Sequence, residues 1–216
     1  MDACGNEGTA LTELAKLIRR YPVLGECRAA VYRAYCILKE SFNGGGKVLI
    51  CGNGGSAADA EHMTGELMKG FLKPRKLREP WLGRLRQELP EEDWYDRLQL
   101  ALPAIALTSN KALLTAIAND QGADLIFAQQ VLGYGRPGDV LIAISTSGNS
   151  DNVLKAIWTA RLLGLKVIGL TGAGGGRQKD LCDVAITVPA TATMEIQELH
   201  LPVYHCLCAM VEAAFF

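Results

Sequence analysis

Five short, unbroken apolar runs limit what this chain can fold into: 47–51 (KVLIC), 103–107 (PAIAL), 139–144 (DVLIAI), 166–170 (KVIGL) and 183–188 (DVAITV). A strand with one face in water alternates apolar and polar residues, whereas continuous apolar strands belong to a parallel sheet covered on both faces. Parallel neighbours need crossover segments, and helical stretches at about 56–70, 111–133 and 150–163 supply them. The sequence therefore predicts an α/β fold with a doubly wound, five-stranded parallel sheet. Ahead of it, Leu11, Leu14, Leu17 and Ile18, then Val31, Ala34, Tyr35 and Leu38, form two helical stripes. Asn43 and the three glycines after it end this helical pair, an N-terminal arm over 1–43. From about Glu195 onward the chain reads as one long helix containing Pro202, which removes a backbone donor and predicts a kink.

The 216 residues suit a single domain over 1–216. Only 72–100 falls outside the alternation, with basic residues toward its start, acidic ones toward its end, and Trp81 and Trp94 inside. It reads as a solvated helical insertion anchored by a few aromatics, the alternative being a subunit contact or an active-site lid. A net charge of −1 argues against a nucleic-acid or membrane-surface partner, and no apolar run approaches a membrane span. The N-terminus shows no basic and apolar leader, which predicts a cytoplasmic location. Seven cysteines without a paired framework read as reduced core residues; Cys206 and Cys208, two apart on a helix, face different sides.

Ligands of such sheets sit beyond the carboxyl ends of the strands. After the first run, Gly52-Asn53-Gly54-Gly55-Ser56-Ala57 opens a helix. It satisfies a loose dinucleotide fingerprint, but the second run ends in Thr108-Ser109-Asn110, with no acid for a ribose. What survives is a glycine loop that brings backbone N–H groups to an oxyanion. After the third run, Ser145-Thr146-Ser147-Gly148-Asn149-Ser150 crowds four hydroxyls at another helix start. One hydroxyl suffices for a cap, so four point to a phosphate cradle. Of three histidines, His62 precedes Glu66 by four residues, placing both on one helix face in a pairing that suits a divalent metal. Gln197 and His205 lie on the last helix, and His200 reads as structural.

Together, 51–67 (CGNGGSAADAEHMTGEL), 116–122 (AIANDQG), 138–157 (GDVLIAISTSGNSDNVLKAI) and 196–205 (IQELHLPVYH) resemble the sugar-isomerase (SIS) domain, and within it the phosphoheptose isomerase family. The resemblance covers nearly the whole chain apart from 72–100. It implies a flavodoxin-like strand order and one zinc ion held by His62, Glu66, Gln197 and His205. It implies Glu66 and His205 as the acid/base pair, and substrate contacts from Asn53, Gly54, Gly55, Ser56, Glu66, Asn119, Asp120, Ser145, Thr146, Ser147, Ser150 and Gln197. It further implies a homotetramer with sites between subunits. The implied reaction interconverts sedoheptulose 7-phosphate and D-glycero-D-manno-heptose 7-phosphate, the start of heptose biosynthesis. The residues suit that chemistry: an aldose–ketose exchange needs a base near carbon, an acid near oxygen and stabilisation of developing charge. Met194-Glu195 stands where some family members have Asp-Arg, which implies different distal contacts. Two alternatives are a non-catalytic SIS scaffold that binds the replication initiator and an SIS isomerase for another sugar phosphate.

Overall fold

In the computed structural model, which describes residues 3–216 and side chains from Gly8 onward, the five apolar runs pair as one parallel sheet. Its strands are β1 (Val48–Gly52), β2 (Ala104–Ala106), β3 (Val140–Ile144), β4 (Lys166–Thr171) and β5 (Val184–Thr187), in the order β2-β1-β3-β4-β5. Successive side chains point to opposite faces, so each run feeds two cores. Val48, Ile50, Ile142 and Ile144 pack beneath α1 (Ala3–Arg20), α2 (Arg28–Asn43), α3 (Gly55–Met68) and α8 (Thr193–Phe215). Leu49, Cys51, Leu141 and Ala143 pack on the other face, against α6 (Ala128–Tyr134) and α7 (Asp151–Leu162). Each fully buried Leu or Ile contributes about 1.5–3 kcal/mol. That is why the fully buried strands β1 and β3 hold no polar side chain.

Several local expectations are corrected. The stretch 111–133 is not one helix: α5 (Lys111–Asp120) stops before Gly122, whose φ of +118° suits only glycine, and α6 begins a short 3-10 turn later. On α1 the inward stripe is Ala10, Leu14 and Leu17, while Leu11 is 42% exposed. The helical assignment of α8 continues through Pro202. Cys27, Cys51, Cys206 and Cys208 are buried, but Cys36 is exposed on the outer face of α2; the Cys4 side chain lies outside the described residues. In 72–100, Trp81 (61% exposed) and Trp94 (38%) do not anchor the segment. Its short helix α4 (Trp81–Glu88) buries nothing, and Tyr95 and Arg75 are the residues that go inside. No described helix is long and apolar enough to cross a membrane.

Candidate functional site

After β1 the chain crosses to β2 on one side, and after β3 to β4 on the other, which makes β1/β3 the topological switch where such sheets open a crevice. The loops after β1 and β3 are therefore neighbours despite lying far apart in sequence. Their tips are joined by the Asn53 and Asn152 side-chain amides, each donating to the other at 2.9 Å. Gly54 has a φ of +58°, which an L side chain rarely adopts. A Cβ on Gly55 would collide with the Gln197 amide, so this glycine lets α8 approach the start of α3. Ser56 is buried beneath the loop.

In the loop after β3, Ser145 is buried with its Oγ 3.0 Å from Ser150 Oγ. The Thr146 carbonyl accepts from Gly172 N–H at 3.0 Å, tying the loop to the next strand end. Ser147 is exposed and its Oγ accepts from Asn149 N–H at 3.2 Å. Ser150 occupies the N-cap of α7 but makes no side-chain cap bond. Capping thus does not consume the hydroxyls, and the first-turn N–H groups of α7 remain suited to an oxyanion.

Helices α3 and α8 pack side by side in the same direction. Gly55 meets Gln197 near their starts, and two turns on His62 meets His205. His62 Nε2 lies 3.3 Å from Glu66 Oε1 and 3.5 Å from His205 Nε2. The other carboxylate oxygen of Glu66 accepts from Lys69 Nζ at 2.9 Å. On its far side, His62 Nδ1 lies 3.0 Å from the Tyr204 hydroxyl, which is 3.3 Å from Asp59 Oδ1. The rings of His62, Tyr204 and His205 meet edge to face, and Phe71 lies against His205. Burial, reinforced by His62, holds His205 below the usual imidazole range, with Glu66 opposing.

Two imidazoles and a carboxylate are the donors zinc prefers, and ligands about 2.0–2.1 Å from a tetrahedral ion sit roughly 3.3 Å apart. Both separations from His62 Nε2 match that edge. As the side chains stand, however, no group of three or more His, Cys, Asp or Glu side chains among the described residues closes around one centre. Gln197 lies a little more than two turns away at Gly55, about 12 Å back along the α8 axis from His205. Asn119 and Asp120 are exposed at the end of α5 and hydrogen-bond to each other. The structure thus gathers His62, Glu66 and His205, separately gathers the glycine and serine loops with Gln197, and pairs Asn119 with Asp120 at the exposed end of α5.

Several partners escaped the sequence reading: Asn152, Tyr204, Asp59, Lys69 and the buried pair Arg75–Glu212. Arg75 Nε donates to Glu212 Oε1 at 2.8 Å, and its Nη atoms donate to the carbonyls of Leu67 and Glu66. Glu212 also accepts from the N–H groups of Phe71, Leu72 and Lys73. The pair clamps the end of α3, which carries Glu66, to α8. The i,i+3 spacing of Lys69 from Glu66 was the one sequence signal for any of these.

The SIS domain family matches residues 23–99 and 93–172. The chain is 49% identical to the phosphoheptose isomerase of Rhodospirillum rubrum, over 88% of this chain and 89% of that protein. It is 45% identical to that of Nitratiruptor sp., again over 88% and 89%. The solved phosphoheptose isomerase from Neisseria gonorrhoeae superposes with a TM-score of 0.73 at 34% identity, covering 94% of this chain and 96% of that one. The chain belongs to the phosphoheptose isomerase family of SIS-domain isomerases.

Proposed function

We propose that the protein interconverts sedoheptulose 7-phosphate and D-glycero-D-manno-heptose 7-phosphate by proton transfer through an enediol(ate), opening heptose biosynthesis in the cytoplasm. The observation that carries this reading is the approach of Glu66 and His205 to His62, a carboxylate and a second imidazole about one imidazole nitrogen. Glu66, on a rigid helix with Lys69 holding one of its oxygens, takes the proton from the carbon beside the carbonyl. His205, kept neutral by burial, relays a proton between the enediol oxygens. Ser145, Thr146, Ser147 and Ser150, with the first N–H groups of α7, hold the phosphate, and the glycine loop positions the sugar through Asn53, Gly54, Gly55 and Ser56. His62, Glu66, Gln197 and His205 would hold one zinc ion per site, which would polarise the carbonyl and its neighbouring hydroxyl. We infer a homotetramer with sites between subunits. The distance of Gln197 from His205 along α8, about 12 Å, supports that reading.

The test is Glu66→Gln, which keeps shape and one ligating oxygen but removes the base. Aldose formation from sedoheptulose 7-phosphate should fall about 10²–10⁴-fold while zinc content is retained. Failure of the wild-type chain to convert this substrate would remove the assignment. Near-normal solvent-deuterium incorporation by the zinc-loaded variant would move the base elsewhere, with Asp120 next in line.

A further inference from the structure

The far side of His62 carries information about its near side. Tyr204 is buried, and its hydroxyl lies between His62 Nδ1 at 3.0 Å and Asp59 Oδ1 at 3.3 Å. A carboxylate only accepts hydrogen bonds, so the phenol proton goes to Asp59. The phenol oxygen is then left as the acceptor for His62, and Nδ1 must carry the hydrogen. In the other tautomer the phenol would donate to Nδ1 and face Asp59 with no proton between two oxygens. That arrangement costs more here, because Asp59 Oδ2 is buried and has no other partner to compensate.

We propose that Asp59 and Tyr204 form a relay that fixes His62 as its Nδ1–H tautomer, so that the Nε2 lone pair is aimed at the space shared with Glu66 and His205. Tyr204 is a positioning residue: it acts through the His62 ring that it orients. The relay gives a reason for a structural fact otherwise left open, namely a histidine whose open nitrogen faces a carboxylate oxygen at 3.3 Å and a second imidazole nitrogen at 3.5 Å. With the hydrogen on Nδ1, the Nε2 lone pair opposes Glu66 Oε1 at 3.3 Å, an opposition that a cation between them relieves. Holding one of them there in advance lowers the cost of collecting ligands when the ion arrives. The edge-to-face stacking of Tyr204 on both His62 and His205 restricts the same ring in the remaining direction. The proposal deepens the metal-assisted reading and rests on it only in its zinc arm.

The experiment uses the full chain, ¹⁵N-labelled at histidine and stripped of metal by chelation, at a pH well above the imidazole range. Long-range ¹H–¹⁵N correlation should show His62 as Nδ1–H in the wild type and as Nε2–H or a mixture in Tyr204→Phe. Chelator competition should show Tyr204→Phe binding zinc about 10–100-fold more weakly. Asp59→Leu, which leaves the Tyr204 ring in place, should behave the same way. Asp59→Asn, whose carbonyl still takes the phenol proton, should restore the wild-type tautomer. An Nε2–H His62 in the wild type, or a tautomer and zinc affinity unchanged by Tyr204→Phe, overturns the relay. A wild-type Nδ1–H signal that Tyr204→Phe abolishes, with no zinc bound by either protein, upholds the relay and removes the zinc reading instead.

Discussion

Asn53 and Asn152 pair reciprocally through their side-chain amides, two hydrogen bonds of 2.9 Å that join the glycine loop to the first turn of α7. Asn152 stands outside the proposed substrate contacts, so its loss tests the pairing alone. Asn152→Ala should cost about 0.5–1.5 kcal/mol of stability. It should also raise KM for the sugar phosphate about 2–10-fold, because the glycine loop loses its lateral support. Steady-state kinetics beside thermal unfolding separate the two effects. A lowered midpoint with unchanged KM would reduce the pair to a structural staple.

The serine loop makes a sharper prediction. Ser147 is exposed and bonded only within its own turn, so removing its hydroxyl leaves the core intact. Ser147→Ala should weaken binding of the phosphorylated substrate by about 1–3 kcal/mol, read as KM. Activity on the unphosphorylated sugar should be unaffected. An equal loss on both sugars would show that the loop holds something other than phosphate.

The Arg75–Glu212 pair is fully buried, and Glu212 satisfies three backbone N–H groups besides Arg75. Removing one partner strands a charge, so Arg75→Met or Glu212→Gln should each destabilise the chain by about 3–5 kcal/mol in urea unfolding. Arg84→Ala breaks an exposed pair with Glu88 and should change stability by no more than about 0.5 kcal/mol. Equal effects at the two sites would contradict the burial argument.

His200 sits at 0% exposure, and neither ring nitrogen completes a well-formed hydrogen bond. Burial pulls it from 6.5 to about 4, with the Thr171 backbone partly opposing. The sign follows from which state takes the proton first. Below 6.5 the unfolded chain protonates this histidine while the folded chain does not, so stability is full above 6.5 and is lost as pH falls toward 4. Linkage puts the total loss at about 3 kcal/mol. His200→Leu should be neutral or stabilising at pH 7 and should flatten that part of the stability curve. A variant whose acid dependence matches the wild type would place the effect on other groups.

The sheet was legible because burial on both faces leaves no polar position in a central strand: β1, β2 and β3 have none, and β4 and β5 carry theirs only at the ends, at Lys166, Thr171 and Thr187. His62 and Glu66 were legible because a single helix fixes their spacing. The relay Asp59–Tyr204–His62 and the pair Arg75–Glu212 were not, since each joins α3 or its exit to α8 across more than a hundred residues, a distance no local pattern encodes. Asn152 hid within a helix start that looked like ordinary capping. The tryptophans misled because aromatic residues in a polar stretch suggest anchors, whereas the burial there goes to Tyr95 and to an arginine that finds its carboxylate on α8. Gly122 was visible, yet the apolar periodicity around it reads as continuous through a single glycine, and only its positive φ ends the helix.

The segment between α3 and β2 is tied off at its neck. Lys76 and Gln99 form an antiparallel bridge, Leu100 N–H donates to the Arg75 carbonyl, and Gln99 Oε1 accepts from the N–H groups of Gly70 and Arg75. Everything that matters to Glu66 happens on the near side of that knot, in Arg75 and the residues before it. Beyond it, Arg78 still reaches the Phe216 ring at the end of α8 at 5.9 Å; from 79 to 98 the segment hangs as a pendant whose length and sequence can drift, shrink to a tight turn or acquire a new surface without tugging on the helices that meet at His62. The same closure makes this the place where a reporter or tether can be grafted while leaving the chemistry undisturbed.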